Sequence, residues 1–534
     1  MNTLLLLTLF FGPLHTGTHG VTQKSMIVVT TKKIVSQSAK LADFIAAKED
    51  RGYVVDVATE DDYGSAGEEG LPRALAIRAY LQSVHADYSY ALLIGNAHAD
   101  YGDVPMWKVW ARHAWSSSNC GGFPLDCRSH ETDYLYADLT GDWDLNGNGQ
   151  YGETGLDQGD GGIDLVPELL VSRIPVYFDD YRELDQILTS AIDYGNAAPA
   201  DIAYRKKALL PAAFYYFKGQ EMVGYSFPDD VDGSVITEWF FHRVIESSAG
   251  YTATRLYERE GIVTSRLESE LALTRENLIS AWKDGYGMVF WMGHGLQKEV
   301  ARVIWTADTN GDGLAQDTEM SSALFIHSDD AESIGSGRPG FVVGVSCEIG
   351  SAETYQNLTA MLLLHGAAVG MLGSSSVTPG SVTDWANLES EMELERSGAD
   401  NIGVLFFQDL IAGKTAGEAI WNAKLQAGTE DDSESLAGRT MLNFFGDPTL
   451  RLDSTMEDIV DPEPEDPPGK GDDSGCSTAA PGTASGSPGA SILVLTLFFM
   501  ARCRRSSRPC SRKPCPVRRP SPCPVRPFRP ASPV

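Results

Sequence analysis

Basic residues and cysteines are both scarce. Lys and Arg number 42 against 73 Asp and Glu, a formal net charge of −31, and ten of those 42 lie after residue 500. A body this acidic argues against nucleic acid as a partner. The excess is either a solvated face or, in part, a supply of cation ligands. Of eight cysteines only Cys120, Cys127 and Cys347 precede residue 470, so the body has room for one disulfide at most. Cys120 and Cys127 flank a six-residue loop. They read either as a small disulfide in an oxidising compartment or as two surface thiols inside a cell. If they pair, Cys347 is left as a candidate reactive thiol. Long apolar runs are missing as well: Leu4 to Phe11 and Ala490 to Ala501 are both short for a bilayer span. The chain still has, at 534 residues, room for two to four domains and a sizeable core.

What is present is a regular alternation of short apolar runs and helical patterns. Strands are expected at 25–30, 53–57, 90–94, within 166–176, and at 208–213, 253–257 and 367–372. Helices are expected at 34–45, 71–84, 180–194, 235–247, 274–282, 357–364, 388–396, 403–411 and 416–426. Such alternation predicts an α/β fold with right-handed crossovers on a parallel sheet. Two more apolar runs, beginning at Met288 and Phe341, are bounded by glycine and read as buried parallel strands. The first runs out at His294 and the second at Cys347, 53 positions later. Neighbouring strands of an open parallel sheet share one crevice at their carboxyl ends. A thiol beside an imidazole is an activated nucleophile. Either residue alone reads more simply as a structural group. Both together, at two strand ends with glycine alongside, read as nucleophile and base.

Gly293-His294-Gly295 and Ser346-Cys347-Glu348-Ile349-Gly350 resemble the His-Gly and Cys motifs of the gingipain-type cysteine peptidases, relatives of the caspases. Supporting matches lie at Val171 to Val176, Gly366 to Ser375 and Phe444 to Leu450, and the resemblance covers about Met26 to Leu452. It implies a caspase-like parallel-sheet α/β sandwich acting on protein or peptide substrates. It implies Cys347 as nucleophile and His294 as the group that handles its proton. The backbone N–H groups of Gly295 and Cys347 would form the oxyanion hole. Some family members support the His with an acid after the first strand of the catalytic half. Here that stretch is Ala212-Ala213-Phe214-Tyr215, and Asp229, Asp230 and Asp232 are only nearby candidates.

Two stretches fit the twelve-residue calcium loop, with oxygen ligands at positions 1, 3 and 5, Gly at 6 and Glu at 12. In the first the ligands are Asp142, Asp144, Asn146, the Asn148 carbonyl and Glu153. In the second they are Asp308, Asn310, Asp312, the Leu314 carbonyl and Glu319. The alternative is a pair of Asp/Asn/Gly turns without metal. The second loop falls between His294 and Cys347, where Ca2+ would order the chain beside both.

Residues 1–20 read as an export signal, 21–205 as an N-terminal α/β subdomain with a calcium loop, and 206–452 as the catalytic subdomain. Residues 453–475 form an acidic Pro-rich linker, 476–505 a C-terminal anchor segment and 506–534 a Pro/Arg-rich tail. Gly475-Cys476-Ser477-Thr478, the short apolar run and the Arg cluster resemble the sorting tail of myxobacterial surface proteins. In those, the Cys is the processing point. The expectation is therefore an exported protein of a Gram-negative bacterium, attached to the cell envelope through its C-terminus. Two other classes stay open: a non-catalytic calcium-binding adhesion protein on the same scaffold, and a Cys–His hydrolase acting on a non-peptide acyl group.

Overall fold

The computed structural model describes residues 24–111, 129–222, 225–335, 337–378, 398–427 and 433–459. Cys120, Cys127, Cys476, the segments expected at the two ends and the helix expected at 388–396 lie outside them. The first half of the chain contributes β1 (Lys24–Val29), β2 (Tyr53–Ala58), β3 (Tyr90–Gly95) and β4 (Leu170–Pro175). The second contributes β5 (Lys207–Ala212), β6 (Phe214–Tyr216), β7 (Thr252–Tyr257), β8 (Leu271–Ala272) and β9 (Met288–Met292). It continues with β10 (His294–Leu296), β11 (Glu299–Trp305), β12 (Met320–His327), β13 (Gly340–Val345), β14 (Ala368–Ser374) and β15 (Leu442–Gly446).

Eleven of these strands make one sheet in the order β8–β7–β5–β9–β13–β14–β15–β4–β3–β1–β2. The neighbouring pairs form parallel ladders except β14–β15, which is antiparallel, and β15 meets β4 at the single pair Phe445–Arg173. β3, β9, β13 and β14 are buried at every residue, which is why they stand in the sequence as unbroken apolar runs. The chain leaves β5 for β7 on one side and returns to β9 on the other. A crevice opens at such a reversal, at the carboxyl ends of the strands.

The helices follow the expected pattern with local differences. Thr274 and Asn357 cap their helices through side-chain oxygens that accept from Asn277 N and Ala360 N. The helix expected at 34–45 is two, Lys32–Gln37 and Leu41–Glu49. The break is held by Asp185, whose carboxylate accepts from the Ser38 hydroxyl and from the backbone N–H groups of Ala39 and Lys40. The helix expected at 235–247 is α-helical over Ser234–Phe240 and widens to a π-turn over Phe241–Ile245. Residues beyond 452 also remain part of the body. Met456 N donates to Ala197 O and Arg451 pairs with Asp458, within the stretch where a linker is expected from 453.

The division at 205/206 falls between strands of a single sheet, and one hydrophobic core runs through both halves. The seam is β15 against β4, where Phe445 faces Arg173. Two of the motifs behind the family resemblance therefore lie side by side. Each contributes a buried charge to the junction. Arg173 is fully buried and makes a bidentate pair with Asp133, at 2.9 and 2.6 Å, while also donating to Val104 O. Asp447 takes the buried ammonium of Lys48 and accepts from Thr449 N and Oγ1. Gly446 is required between them: its φ is 128°, and a Cβ there would stand 2.6 Å from Val369 O. Breaking a buried pair from one side leaves an uncompensated charge. Asp133→Ala is thus expected to lower the unfolding free energy by about 3–5 kcal/mol, read from urea denaturation. A loss under about 1 kcal/mol, the size of a surface pair, would contradict this reading of the seam.

Candidate active site

β9 and β13 are paired in register from Met288–Phe341 to Met292–Val345. The next residues, Gly293 and Ser346, are cross-linked beyond the last ladder pair. The Trp291 indole donates to Ser346 Oγ at 3.0 Å, and that hydroxyl donates to Gly293 O at 2.8 Å. One residue further, His294 and Cys347 leave the two strands. Gly295 lies directly on the backbone of Cys347. A Cβ at 295 would stand 2.7 Å from Ser346 Cβ and 2.8 Å from Cys347 N. Any larger residue would push the His-bearing strand off the Cys-bearing one.

Cys347 is a half-buried thiol. The chain turns sharply after it, because Glu348 adopts a left-handed φ of 57°. Its N–H is fixed on Ser376 O at 2.9 Å, and its carboxylate accepts from the Gln297 amide at 2.7 Å. The turn lifts residue 347 out of the sheet at the strand's end, and strain of this kind concentrates at functional positions.

The Tyr215 carbonyl lies 2.7 Å from His294 Nε2. A carbonyl oxygen only accepts, so Nε2 carries the proton and, in the neutral ring, Nδ1 is left as the basic nitrogen. Burial lowers the His294 pKa below its ordinary value, and the bond to Tyr215 opposes that shift. The same tyrosine ties the strand ends together. Its hydroxyl donates to Val345 O at 2.8 Å and accepts from Gly293 N at 3.2 Å. The rings of Tyr215 and Tyr216 stand edge-on to the imidazole at 5.4 and 5.5 Å. Burial, with a contribution from charge on Cys347, raises both phenols.

Two of the three candidate acids are used elsewhere. Asp230 accepts from Lys218 N at 2.9 Å, and Asp232 caps the turn at Ser234 N at 2.9 Å. The support for His294 is a backbone carbonyl, which has no side-chain signature in a sequence. A second unforeseen group is Glu131, buried beyond the carboxyl end of β14, where Ser375 Oγ donates to its carbonyl. Burial, aided by Glu353, lifts its carboxyl to about 7.

Both expected calcium loops form the turns that their glycines require: Gly147 and Gly313, each at position 6, have φ of 69°. In the first loop Glu153 Oε2 accepts from the Asn146 and Asn148 amides at 3.1 and 2.7 Å. Asp157, fully buried and not foreseen, accepts from Glu153 N at 2.9 Å. In the second loop Asp308 accepts from Gly311 N and Gly313 N, and Asp312 from Leu314 N. Glu319 is 2 % exposed; its Oε1 accepts from Thr309 N and Oγ1, while its Oε2 is buried without a partner. A buried carboxylate oxygen left unbonded fits a cation-binding loop. Among the described residues no three or more His, Cys, Asp or Glu side chains converge as a metal cluster. The second loop bears on the site through packing. Ala315 N donates to Lys218 O at 2.8 Å, and Ala315 is buried with Phe214, Phe217 and Trp305 beneath β6.

A thiol and an imidazole at the carboxyl ends of neighbouring parallel strands, on a caspase-like sheet, define a cysteine peptidase scaffold. The model of peptidase family C25 matches residues 19–453. The chain belongs to that family, the gingipains, and is a cysteine endopeptidase whose substrates are proteins or peptides. Among solved structures it is similar to the Arg-specific cysteine proteinase gingipain R, with a TM-score of 0.53 and 14% identity, over 83% of this chain and 81% of that one. It is likewise similar to the complex of Porphyromonas gingivalis RgpB pro- and mature domains, with a TM-score of 0.51 and 15% identity, over 81% and 80%. At such identity the likeness speaks to the fold alone. No curated protein matches the sequence.

The state of the imidazole can be read directly. In spectra of protein carrying labelled histidine, assigned with His294→Gln, the His294 resonance is expected to titrate with a midpoint below 6.5. The unfolded chain then holds more protons than the folded one in this window. The stability that this group contributes is therefore complete above about 6.5 and declines as pH falls through the folded midpoint. A midpoint above 6.5 would show that a negative charge, not burial, governs the ring.

Proposed function

We propose that Cys347 is the nucleophile and His294 the base of an exported, surface-associated peptidase stabilised by calcium. The observation that carries this is the close packing of Gly295, next to His294, against the Cys347 backbone, which supports a thiol and an imidazole opening onto one crevice. In the reaction, His294 Nδ1 takes the Cys347 proton, and the thiolate attacks the scissile carbonyl carbon. The oxyanion is held by the backbone N–H groups of Gly295 and Cys347. The imidazolium then gives its proton to the leaving amine, and water releases the acyl group from sulfur with the neutral imidazole as base. Its Nε2–H stays on the Tyr215 carbonyl throughout.

Cys347→Ala is expected to abolish cleavage of a proteome-derived peptide library while moving the melting temperature by no more than a degree or two, since the thiol is half-exposed. Residual cleavage at more than about a thousandth of the wild-type rate would remove Cys347 from the role. Export before Val21 and envelope attachment through Cys476 are part of the same proposal. They rest on the sequence at the two ends and are tested by the N-terminus of the mature protein and by the surface retention of Cys476→Ala.

Calcium would be held by Asp308, Asn310, Asp312, the Leu314 carbonyl and Glu319, and in the first loop by Asp142, Asp144, Asn146, the Asn148 carbonyl and Glu153. The bound ion would neutralise these carboxylates and stiffen the turns. Ligand bound only to the folded state adds about 2.7 kcal/mol at a hundredfold excess over its dissociation constant. Calorimetry is expected to show a higher melting temperature with Ca2+ than with excess chelator, and a smaller difference in Glu319→Gln. Identical melting with and without the ion, after verified metal removal, would reduce both loops to turns.

A further inference from the structure

Phe178 is placed at a double disadvantage. Its side chain is 77% exposed, and its backbone is left-handed at φ 52°, as is that of Asp179 at 56°. A bulky apolar residue gains nothing from either condition. The turn is nonetheless held firmly. Asp179 accepts from Lys33 Nζ at 2.6 Å and from the Tyr181 hydroxyl at 2.7 Å. Against Phe178 stands a second exposed aromatic, Tyr355, with ring centroids 4.6 Å apart and planes at 80°. The Lys298 ammonium lies 5.7 Å from the Tyr355 ring and donates to Gln356 Oε1 at 3.1 Å.

This platform is continuous with the active site. Phe178 follows the carboxyl end of β4, and Tyr355 stands eight residues after Cys347. Lys298 follows the strand that begins at His294, and Gln297 bonds Glu348 at 2.7 Å and presents its carbonyl to Leu358 N. In the sheet β4 is three strands from β13. At about 4.8 Å per strand that is roughly 14 Å, the span of about four residues of extended chain.

We propose that Phe178 and Tyr355 form a distant subsite that receives an apolar side chain of the substrate, three to five residues from the bond cleaved at Cys347. The occupant is an extended polypeptide, because a peptidase must lay one along this face of the sheet. Two aromatic edges meeting at a right angle offer an apolar notch. The proposal rests on the peptidase reading of the site.

The test compares wild type, Phe178→Ala and Phe178→Gly on the proteome-derived peptide library, with cleavage sites read by mass spectrometry. Wild type is expected to prefer Leu, Phe, Ile or Met at one position three to five residues from the scissile bond. Both variants are expected to lose that preference. A peptide with Leu there should lose roughly tenfold in kcat/KM, mostly through KM. A peptide with Gly there should be cleaved as before. Phe178→Gly relieves the left-handed backbone, so its melting temperature should equal or exceed that of wild type. An unchanged cleavage profile overturns the proposal. So does a loss confined to thermal stability or to self-association by light scattering, which would make the pair a structural or subunit contact. If wild type cleaves nothing while Cys347 is intact and reduced, the peptidase reading fails, and this proposal with it.

Discussion

The site depends on the register of two parallel strands. Because Met292 faces Val345, everything beyond the last pair is placed by only one or two residues of freedom. A shift of one residue would send alternate side chains to the other face of the sheet. Register is held at the end where strands usually fray, by Ser346 bridging Trp291 and Gly293 and by the Tyr215 phenol bridging Gly293 and Val345. β9 and β13, with β6 across their ends, thus meet in a few polar contacts. The half-buried thiol and the imidazole are mounted on that knot rather than on flexible loops. Groups held by regular elements keep their geometry better than groups held by loops alone.

The seam between the halves solves a different problem. A sheet of eleven strands needs some means of joining two βα units edge to edge. The chain does this with an antiparallel strand, β15, inserted between β14 and β4, and with two buried ion pairs beside it. Buried pairs are weak evidence for net stability, since desolvation offsets much of their attraction. Their geometry is nonetheless selective. Lys48 comes from the first half and Asp447 from the second, so a misdocked half would bury both charges unpaired. The short motifs around Arg173 and Asp447 are accounted for by this junction rather than by chemistry at the cleft.

Much of the fold was legible because buried parallel strands are continuous apolar runs, and His294 and Cys347 stand where two of them end. Helix starts at Thr274 and Asn357 were legible because an N-cap is a local rule. What escaped was long-range or carried by backbone. The break near Ser38 depends on Asp185, far away in the chain. The antiparallel β10–β12 unit was masked by the acidic loop inside it, whose turn signals are stronger than its strand signals. Tyr215 supports the imidazole through an atom that every residue has. Phe178 could not be found because nothing local marks a phenylalanine as left-handed and exposed.

That the histidine leans on a carbonyl rather than a carboxylate has a consequence for the proposed chemistry. A carboxylate within about 4–6 Å would favour the imidazolium and raise the pKa by roughly one to three units. A carbonyl dipole orients the ring and fixes its tautomer but supplies no countercharge. Burial then decides the direction, and the ring is a weaker base than free histidine. A weaker base takes the thiol proton less readily but returns it more readily as an acid. In amide hydrolysis the leaving amine must be protonated as it departs, so the step that expels the amine gains what the step that forms the thiolate loses. A packed second loop, through Ala315 and Lys218, then matters for a geometric reason. β6 carries the carbonyl that holds Nε2, so its position bears on where Nδ1 points.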